Sequence, residues 1–176
     1  MEDGFMGNRR KSVRLQAWDY RNAGAYFVTI CTQHRRPYFG RVANGAMHLS
    51  PLGEMAYAHW QDIDTHHAGV TLGEFVVMPN HVHGILHLPE GAMSFAKTSA
   101  SKMSAISPKA GSLSAIVRSY KSAVSREAGC AGLAFAWQPR FYEHVVRSEE
   151  SYRQISEYIL GNPLTWAEDE LFCGDR

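Results

Sequence analysis

The 176-residue sequence predicts an α+β fold, in which helices pack on an antiparallel sheet in a ferredoxin-like arrangement. Three observations support this prediction. Segments rich in aromatic and β-branched residues alternate with amphipathic segments, and the turn signals between neighbouring strands are short. The resulting order is strand, helix, two strands, helix, strand, helix. We expect the helices to lie on one face of the sheet, and the length corresponds to one domain.

The first elements are a strand, a hairpin and a helix. Residues 24–32 are rich in aromatic and β-branched side chains, which favour a strand. Residues 38–49 are expected to form a hairpin that turns at Asn44-Gly45, because this dipeptide accepts the positive φ angles of a tight turn. Pro51 then begins a helix that extends to about residue 65, since proline is tolerated in the first turn of a helix.

Two further strands, 70–78 and 81–88, are separated only by Pro79-Asn80 and are therefore expected to be antiparallel neighbours. Residues 89–110 are rich in Ser, Ala, Lys and Gly and have no apolar period, which predicts a mobile loop inside the domain.

The last elements are a helix, a short strand and a helix. Ser112 is suited to cap a helix that runs to about residue 127 with one apolar face. Residues 141–146 predict a strand or an extended segment, and a final helix begins at Ser148 and ends at Gly161-Asn162-Pro163.

Charge is distributed unevenly along the chain. The 18 Lys and Arg residues almost balance the 17 Asp and Glu residues, which predicts modest non-specific affinity for polyanions. We expect a basic N-terminal arm at 1–22, a single catalytic domain at 23–166 and an acidic C-terminal tail at 167–176. The composition excludes global disorder, and no apolar run has the length of a membrane span or a signal peptide, so we expect a cytoplasmic protein without a membrane partner.

His81 and His83 form the first pattern with chemical meaning. Residues i and i+2 of a strand point to the same face, so the two imidazoles would project side by side. Neutral imidazoles at this spacing are suitable ligands for a divalent metal ion. The alternative is a pair of half-exposed strand histidines without a ligand.

Tyr158 and Asn162 form the second pattern, four residues apart on one face of the last helix. The amide oxygen of Asn162 is able to bind a hard cation, and Tyr158 offers a phenolic hydroxyl. The alternative is that Tyr158 packs and Asn162 caps the helix. Together with the histidine pair, the hydroxyl suits phosphoryl transfer with tyrosine as nucleophile, although an unperturbed phenol has a pKa of about 10 and needs assistance at neutral pH.

Several separated motifs resemble the HUH single-strand endonucleases, and in particular the REP-associated tyrosine transposases, a branch of the single-tyrosine transposases. The motifs occur in the right order between about residues 10 and 166. They are residues 78–84 (MPNHVHG), 137–144 (WQPRFYEH) with Arg147, 158–163 (YILGNP), 14–20 and 24–32.

The resemblance implies a ferredoxin-like domain that holds Mg²⁺ or Mn²⁺ through His81, His83 and Asn162, with Tyr158 as the nucleophile. Insertion-sequence members usually have Gln where Asn162 stands, whereas the REP-associated branch accepts Asn before Pro. The implied reaction is attack of Tyr158 on single-stranded DNA with hairpin structure, which forms a 5′-phosphotyrosine and frees a 3′-hydroxyl. Relatives often work as homodimers, sometimes with the tyrosine helix contributed across subunits, and a monomer is the alternative.

Nine basic residues are the candidates for DNA contacts. They are Arg9, Arg10, Lys11, Arg14, Arg35, Arg36, Arg118, Lys121 and Arg140. Tyr120 is a rival nucleophile, although its helical phase favours core packing. His144 is a further candidate for contact with the phosphate.

Two other functions compete with the transposase reading. One is a catalytically idle, domesticated transposase that binds structured DNA. The other is an unrelated His-x-His metal hydrolase, which leaves Tyr158 without a role and requires a third ligand that the sequence does not place.

Overall fold

The computed structural model of the chain describes residues 23–89 and 111–172. The predicted basic arm, with Arg9, Arg10, Lys11 and Arg14, lies outside the described residues. So do residues 90–110 of the predicted loop and residues 173–176 of the predicted tail.

The described residues form six strands and four helices, and the α+β prediction is confirmed. The strands are β1 (Gly24–Cys31), β2 (Gly40–Ala43), β3 (Ala46–Leu49), β4 (Thr71–Met78), β5 (His81–Leu88) and β6 (Tyr142–Val146). The helices are α1 (Pro51–Gln61), α2 (Ile63–His66), α3 (Leu113–Cys130) and α4 (Glu149–Gly161). The helix expected from Pro51 to about residue 65 is thus two helices, divided at Asp62.

Four strands form one antiparallel sheet in the order β4-β5-β1-β6, which agrees with the ferredoxin-like arrangement predicted from the sequence. Strands β2 and β3 form a separate hairpin. Its turn residues have positive φ angles, 54° at Asn44 and 72° at Gly45, and the predicted Asn-Gly turn is confirmed.

One face of the sheet packs against α1 and α3 and forms the larger apolar core. Alternate residues of β1 enter this core, including Val28 and Ile30, and they meet Ile116 and Val117 of α3. Gly84 of β5 is needed here, because a Cβ atom at this position would overlap the indole of Trp60 from α1. The glycine therefore allows α1 to approach the sheet closely.

The opposite face packs against α4 through a smaller core of Phe27, Ile85 and Ile159. The expectation that the helices lie on one face is therefore wrong. Residues 26–30 are all buried, without the alternation of a half-exposed strand. Because β1 is apolar on both sides, it requires cover on both faces of the sheet.

Helix α4 leaves part of this second face open. It contacts β4 in particular, whereas β6 lies at the other edge of the sheet. The surface near β1 and β6 therefore remains accessible beside α4. No helix within residues 23–89 and 111–172 has the length and apolarity needed to cross a membrane.

Candidate active site

His81 and His83 lie side by side on the α4 face of β5. Their ring centroids are 4.3 Å apart, and their side chains are 0% and 3% exposed. The spacing argument therefore placed the pair correctly, but the half-exposed alternative is not observed. Both histidines are buried polar groups that need partners.

Asn80 sets the proton position on His81. Its Nδ2 group donates to the backbone oxygens of Leu171 (2.8 Å) and Arg35 (3.2 Å), so its Oδ1 atom faces Nδ1 of His81 at 2.8 Å. An amide oxygen only accepts, so Nδ1 carries the proton and Nε2 carries a lone pair. Nε2 is buried and has no hydrogen-bond partner among the described residues. The side chain is thus prepared to bind a cation through Nε2.

The two ring nitrogens of His83 contact the hydroxyl groups of a threonine and a tyrosine. Its Nδ1 lies 2.9 Å from Oγ1 of Thr29, and its Nε2 lies 3.2 Å from the phenolic oxygen of Tyr158. Because a hydroxyl both donates and accepts, Thr29 is compatible with either tautomer of the ring.

Both imidazoles are held in their neutral form. Burial lowers the pKa of His83 to about 4, although the negative charge of Asp169 opposes this effect. Burial, together with His83 and Arg35, lowers the pKa of His81 well below its ordinary value. Neutral imidazoles are the form that binds a metal ion, so neither ring must lose a proton at neutral pH.

Tyr158 stands at the exposed edge of α4, with 45% of its surface accessible. Its hydroxyl donates to Oδ2 of Asp169 at 3.2 Å. Burial raises the pKa of Tyr158 to about 12, and the charge and hydrogen bond of Asp169 act in the same direction, while a hydrogen bond with Asn162 lowers it. The phenol is therefore neutral unless positive charge is added next to Asp169.

Asn162 is fully buried at the end of α4. Its Nδ2 group donates to Oδ2 of Asp169 at 2.8 Å, and its Oδ1 atom is buried without a partner among the described residues. The oxygen that the sequence assigned to a cation is thus unpaired, whereas the nitrogen orients a carboxylate.

Asp169 is the residue that the sequence argument missed. Ligand atoms of His81, His83 and Asp169 all lie within 4.8 Å of one another, a grouping that fits a metal ion. The unpaired Nε2 of His81 and Oδ1 of Asn162 support the same conclusion, since buried polar atoms are normally paired. The donor set of imidazoles, carboxylate and amide oxygen suits a divalent cation.

Residues 162–172 fold back on the site, although most of this segment was predicted to be a tail. A 3-10 helix at Trp166–Glu168 brings the indole of Trp166 to 5.8 Å from the ring of His81, and Phe172 packs on Trp166 at 5.3 Å. Nη1 of Arg35 donates to the backbone oxygen of Glu170 at 3.0 Å. The aromatic residues that flank the acidic run are the sequence signal for this docking.

An open cleft of about 1620 Å³ begins at His83 and Tyr158 and continues along β1 and β6. Arg35 and Arg140 line it, so two of the basic candidates for DNA contacts lie beside the site. Arg36 is exposed but is not part of the lining.

Two other basic candidates belong to α3, on the opposite face of the sheet. Arg118 is exposed there. The ammonium group of Lys121 donates to the backbone oxygens of Gln138 (2.7 Å) and Arg140 (3.1 Å), which braces the loop before β6.

Tyr120 and His144 are not part of the histidine cluster. Tyr120 is buried in the larger core and its hydroxyl donates to the backbone oxygen of Ala56 at 3.0 Å. Burial raises the pKa of Tyr120, which opposes a role as nucleophile. His144 is exposed on β6, directly across from Phe27.

Comparisons with known proteins are consistent with this fold. No family model matches the chain. It is 36% identical over 169 residues to an uncharacterized protein of Haemophilus influenzae, and the match covers 94% of both chains. The chain therefore belongs to the same family as that protein.

A more distant relative carries a functional name. The chain is 29% identical over 93 residues to the REP-associated tyrosine transposase of Escherichia coli, a match that covers 53% of this chain and 44% of that protein. A solved structure of a REP-associated tyrosine transposase bound to a REP hairpin has the same fold, with a TM-score of 0.58 and 24% identity over 85% of this chain and 72% of that one. The solved structure shows that this chain shares the fold of that transposase, and the sequence match to the named relative covers about half of this chain.

Proposed function

We propose that this protein is a metal-dependent endonuclease and strand transferase that acts on single-stranded DNA with hairpin or repeat structure. One observation carries the proposal. The hydroxyl of Tyr158 lies between Nε2 of His83 and Oδ2 of Asp169, two atoms of the candidate metal site, and it faces an open cleft. A nucleophile, a cation site and access for a chain-like substrate thus meet at one point.

His81, His83, Asp169 and Asn162 are the residues that would hold Mg²⁺ or Mn²⁺. The bound ion supplies Lewis-acid polarisation of a phosphate and charge that favours the phenolate. This donor set contains the three ligands expected from the sequence and adds the carboxylate of Asp169. The buried, unpaired atoms of His81 and Asn162 support it.

Tyr158 performs the covalent step. Its oxygen attacks the phosphorus of a phosphodiester, the bond from phosphorus to the 3′-oxygen breaks, and the 5′-phosphate remains on the tyrosine. The phenolic proton passes to solvent water, which reaches the 45% exposed Tyr158, and the 3′-oxygen takes a proton from water. Attack by a 3′-hydroxyl on the phosphotyrosine reverses the reaction and joins strands.

Covalent capture tests the proposal. Purified protein with Mg²⁺ or Mn²⁺ is incubated with a library of structured single strands, and denaturing electrophoresis should show a protein–DNA adduct. Tyr158→Phe should abolish the adduct, because it removes only the attacking oxygen. Tyr152→Phe is the matched control on the same helix, since the Tyr152 hydroxyl contacts His87 at 3.4 Å instead. An adduct with Tyr158→Phe would mean that another residue is the nucleophile.

The idle, DNA-binding alternative has one observation in its favour. Burial raises the pKa of Tyr158 and Asp169 adds to this effect, which opposes attack when no cation is bound. This alternative predicts hairpin binding that persists in EDTA and no adduct with either metal ion. The small-molecule hydrolase gains a third ligand in Asp169, but it gives no role to the hydroxyl of Tyr158 beside the metal donors.

A further inference from the structure

The second face of the sheet carries an exposed aromatic residue beside the active site. Tyr142 on β6 pairs with Thr29 on β1, and directly paired residues point to the same face, here the face of α4. Tyr142 is 45% exposed, whereas its neighbours Thr29 and Phe27 are each 8% exposed. Its ring therefore remains accessible where α4 leaves the sheet uncovered.

Phe27 connects Tyr142 to the nucleophile. The ring centroid of Phe27 lies 6.4 Å from that of Tyr142 and 6.3 Å from that of Tyr158, both in edge-to-face geometry. Phe27 also stacks on His83, with the ring centroids 5.3 Å apart. Phe27 thus lies between Tyr142 and Tyr158 in this row of ring contacts. A strand whose phosphate reaches Tyr158 would pass next to the ring of Tyr142.

Arg140 supplies positive charge in the same cleft, which Tyr142 also lines. It lies two residues before β6, lines the cleft and has a φ angle of 67°. Arg35, which also lines the cleft, has a φ angle of 54°. Non-glycine residues in the left-handed region are uncommon, and such strain is concentrated at functional sites.

The surrounding structure holds Arg140 in this conformation. Lys121 donates to the backbone oxygens of Arg140 and Gln138, and the indole nitrogen of Trp137 donates to the backbone oxygen of Lys121 at 3.0 Å. The backbone N–H of Gln138 donates to the backbone oxygen of Cys31 at 2.9 Å, and this hydrogen bond connects the loop to β1. The strained arginine is therefore fixed from two sides.

We propose that Tyr142 and Arg140 form a subsite for the unpaired nucleotide next to the phosphate that Tyr158 attacks. The ring of Tyr142 stacks on the base, and the guanidinium group of Arg140 binds the adjoining phosphate. Exposed aromatic rings with nearby arginines are the usual means of holding single-stranded nucleic acid. The inference rests on the proposed function, since it assigns a substrate contact to the same cleft.

Anisotropy with two matched probes tests the subsite. Each probe is a fluorescein-labelled DNA hairpin with unpaired flanks. The flanks of the first probe have a mixed base sequence, and the flanks of the second probe are abasic, so only the first probe offers unpaired bases. Binding is measured with Tyr158→Phe protein in Mg²⁺ to prevent cleavage. We expect the base-bearing probe to bind more tightly, and Tyr142→Ala to weaken it about 5- to 150-fold while leaving the abasic probe unchanged.

Three further variants separate the contacts. Tyr142→Phe should keep the preference for bases, because the ring is retained. Tyr57→Ala is the matched control, since Tyr57 is 46% exposed but belongs to α1, on the other side of the sheet, and should change neither probe. Arg140→Gln should weaken both probes equally and reduce the salt dependence by about one phosphate contact.

The subsite is wrong if Tyr158→Phe protein binds the two probes equally, or if Tyr142→Ala weakens both probes by the same factor. Neither result depends on adduct formation. Failure of the subsite is therefore distinguishable from failure of the proposed reaction, which the adduct assay measures separately.

Discussion

The phenolic oxygen of Tyr158 lies 3.2 Å from Nε2 of His83, although the two residues are 75 positions apart in the chain. Packing in the smaller core brings Tyr158 and His83 together. Ile159, the residue after Tyr158, is fully buried against Phe27 and Ile85 on the face that also carries His83. Packing of an apolar neighbour therefore determines where the nucleophile stands, and the chemistry depends on α4 covering this face.

The metal donor set is testable through Trp166, whose ring lies 5.8 Å from His81. We expect Mn²⁺ to quench tryptophan fluorescence in the intact protein, and Trp166→Phe to remove most of that quenching. Asp169→Asn should weaken Mn²⁺ binding at least about tenfold, because a charged ligand is replaced by a neutral one.

Asn162→Ala complements Asp169→Asn in the same titration. We expect it to weaken binding as well, since it removes the unpaired Oδ1 atom and the donor that orients Asp169. If Asp169→Asn binds Mn²⁺ as well as the unmodified protein does, the ligands are the two histidines and Asn162, as the sequence alone suggested.

Asn80 should control metal affinity without touching the metal. Asn80→Ala removes the acceptor for Nδ1 of His81, so the proton is free to move to Nε2 and block the lone pair. We expect a loss of about 10- to 100-fold in Mn²⁺ affinity, as for other residues that orient metal ligands. Asn80→Asp keeps an acceptor at this position and should recover part of the affinity. Unchanged affinity in Asn80→Ala would show that another group fixes the tautomer.

The depressed pKa of His83 predicts loss of stability in acid. The unfolded chain takes up a proton near the ordinary histidine pKa of about 6.5, whereas burial holds the pKa of His83 at about 4 in the folded state. The contribution to stability is therefore fully present above about pH 6.5 and is lost as the pH falls to about 4. A pKa difference of this size between the two states lowers the free energy of unfolding in acid by an amount of the order of 3 kcal/mol.

Urea unfolding in EDTA, at about pH 7 and about pH 4.5, measures this effect. His83→Gln should reduce the difference between the two pH values, because glutamine has no proton to take up there. His48→Gln is the control, since His48 is exposed on β3. If both variants keep the full difference, other groups cause the acid sensitivity.

Sequence reasoning located the parts of the site that follow a regular period. His81 and His83 share a face because a strand has a period of two, and Tyr158 and Asn162 share a face because a helix has a period of 3.6. No periodic pattern predicts the position of Asp169, because that position depends on a chain reversal after Asn162. The bond from Asn80 to Leu171 and the packing of Trp166 hold that reversal, and neither contact has a periodic signal.

The location of α4 was missed for a different reason. The element order alone does not say which face of the sheet a helix covers. The unbroken burial of residues 26–30 does, because a strand buried on both sides needs two layers of helices. The run is visible in the sequence as five residues, 26–30, without a charged side chain.

The last prediction is that Tyr158 acts in the chain that carries its own histidines. Tyr158, His83 and Asp169 of one chain already lie within hydrogen-bonding distance, so no second subunit is needed to complete the site. A mixture of Tyr158→Phe protein with a His81→Ala/His83→Ala variant should therefore form no adduct, whether light scattering finds a monomer or the homodimer expected from the sequence. A mixture of unmodified protein with either variant is the positive control. An adduct on the histidine-deficient chain, identified by a size tag, would instead show that α4 is exchanged between subunits.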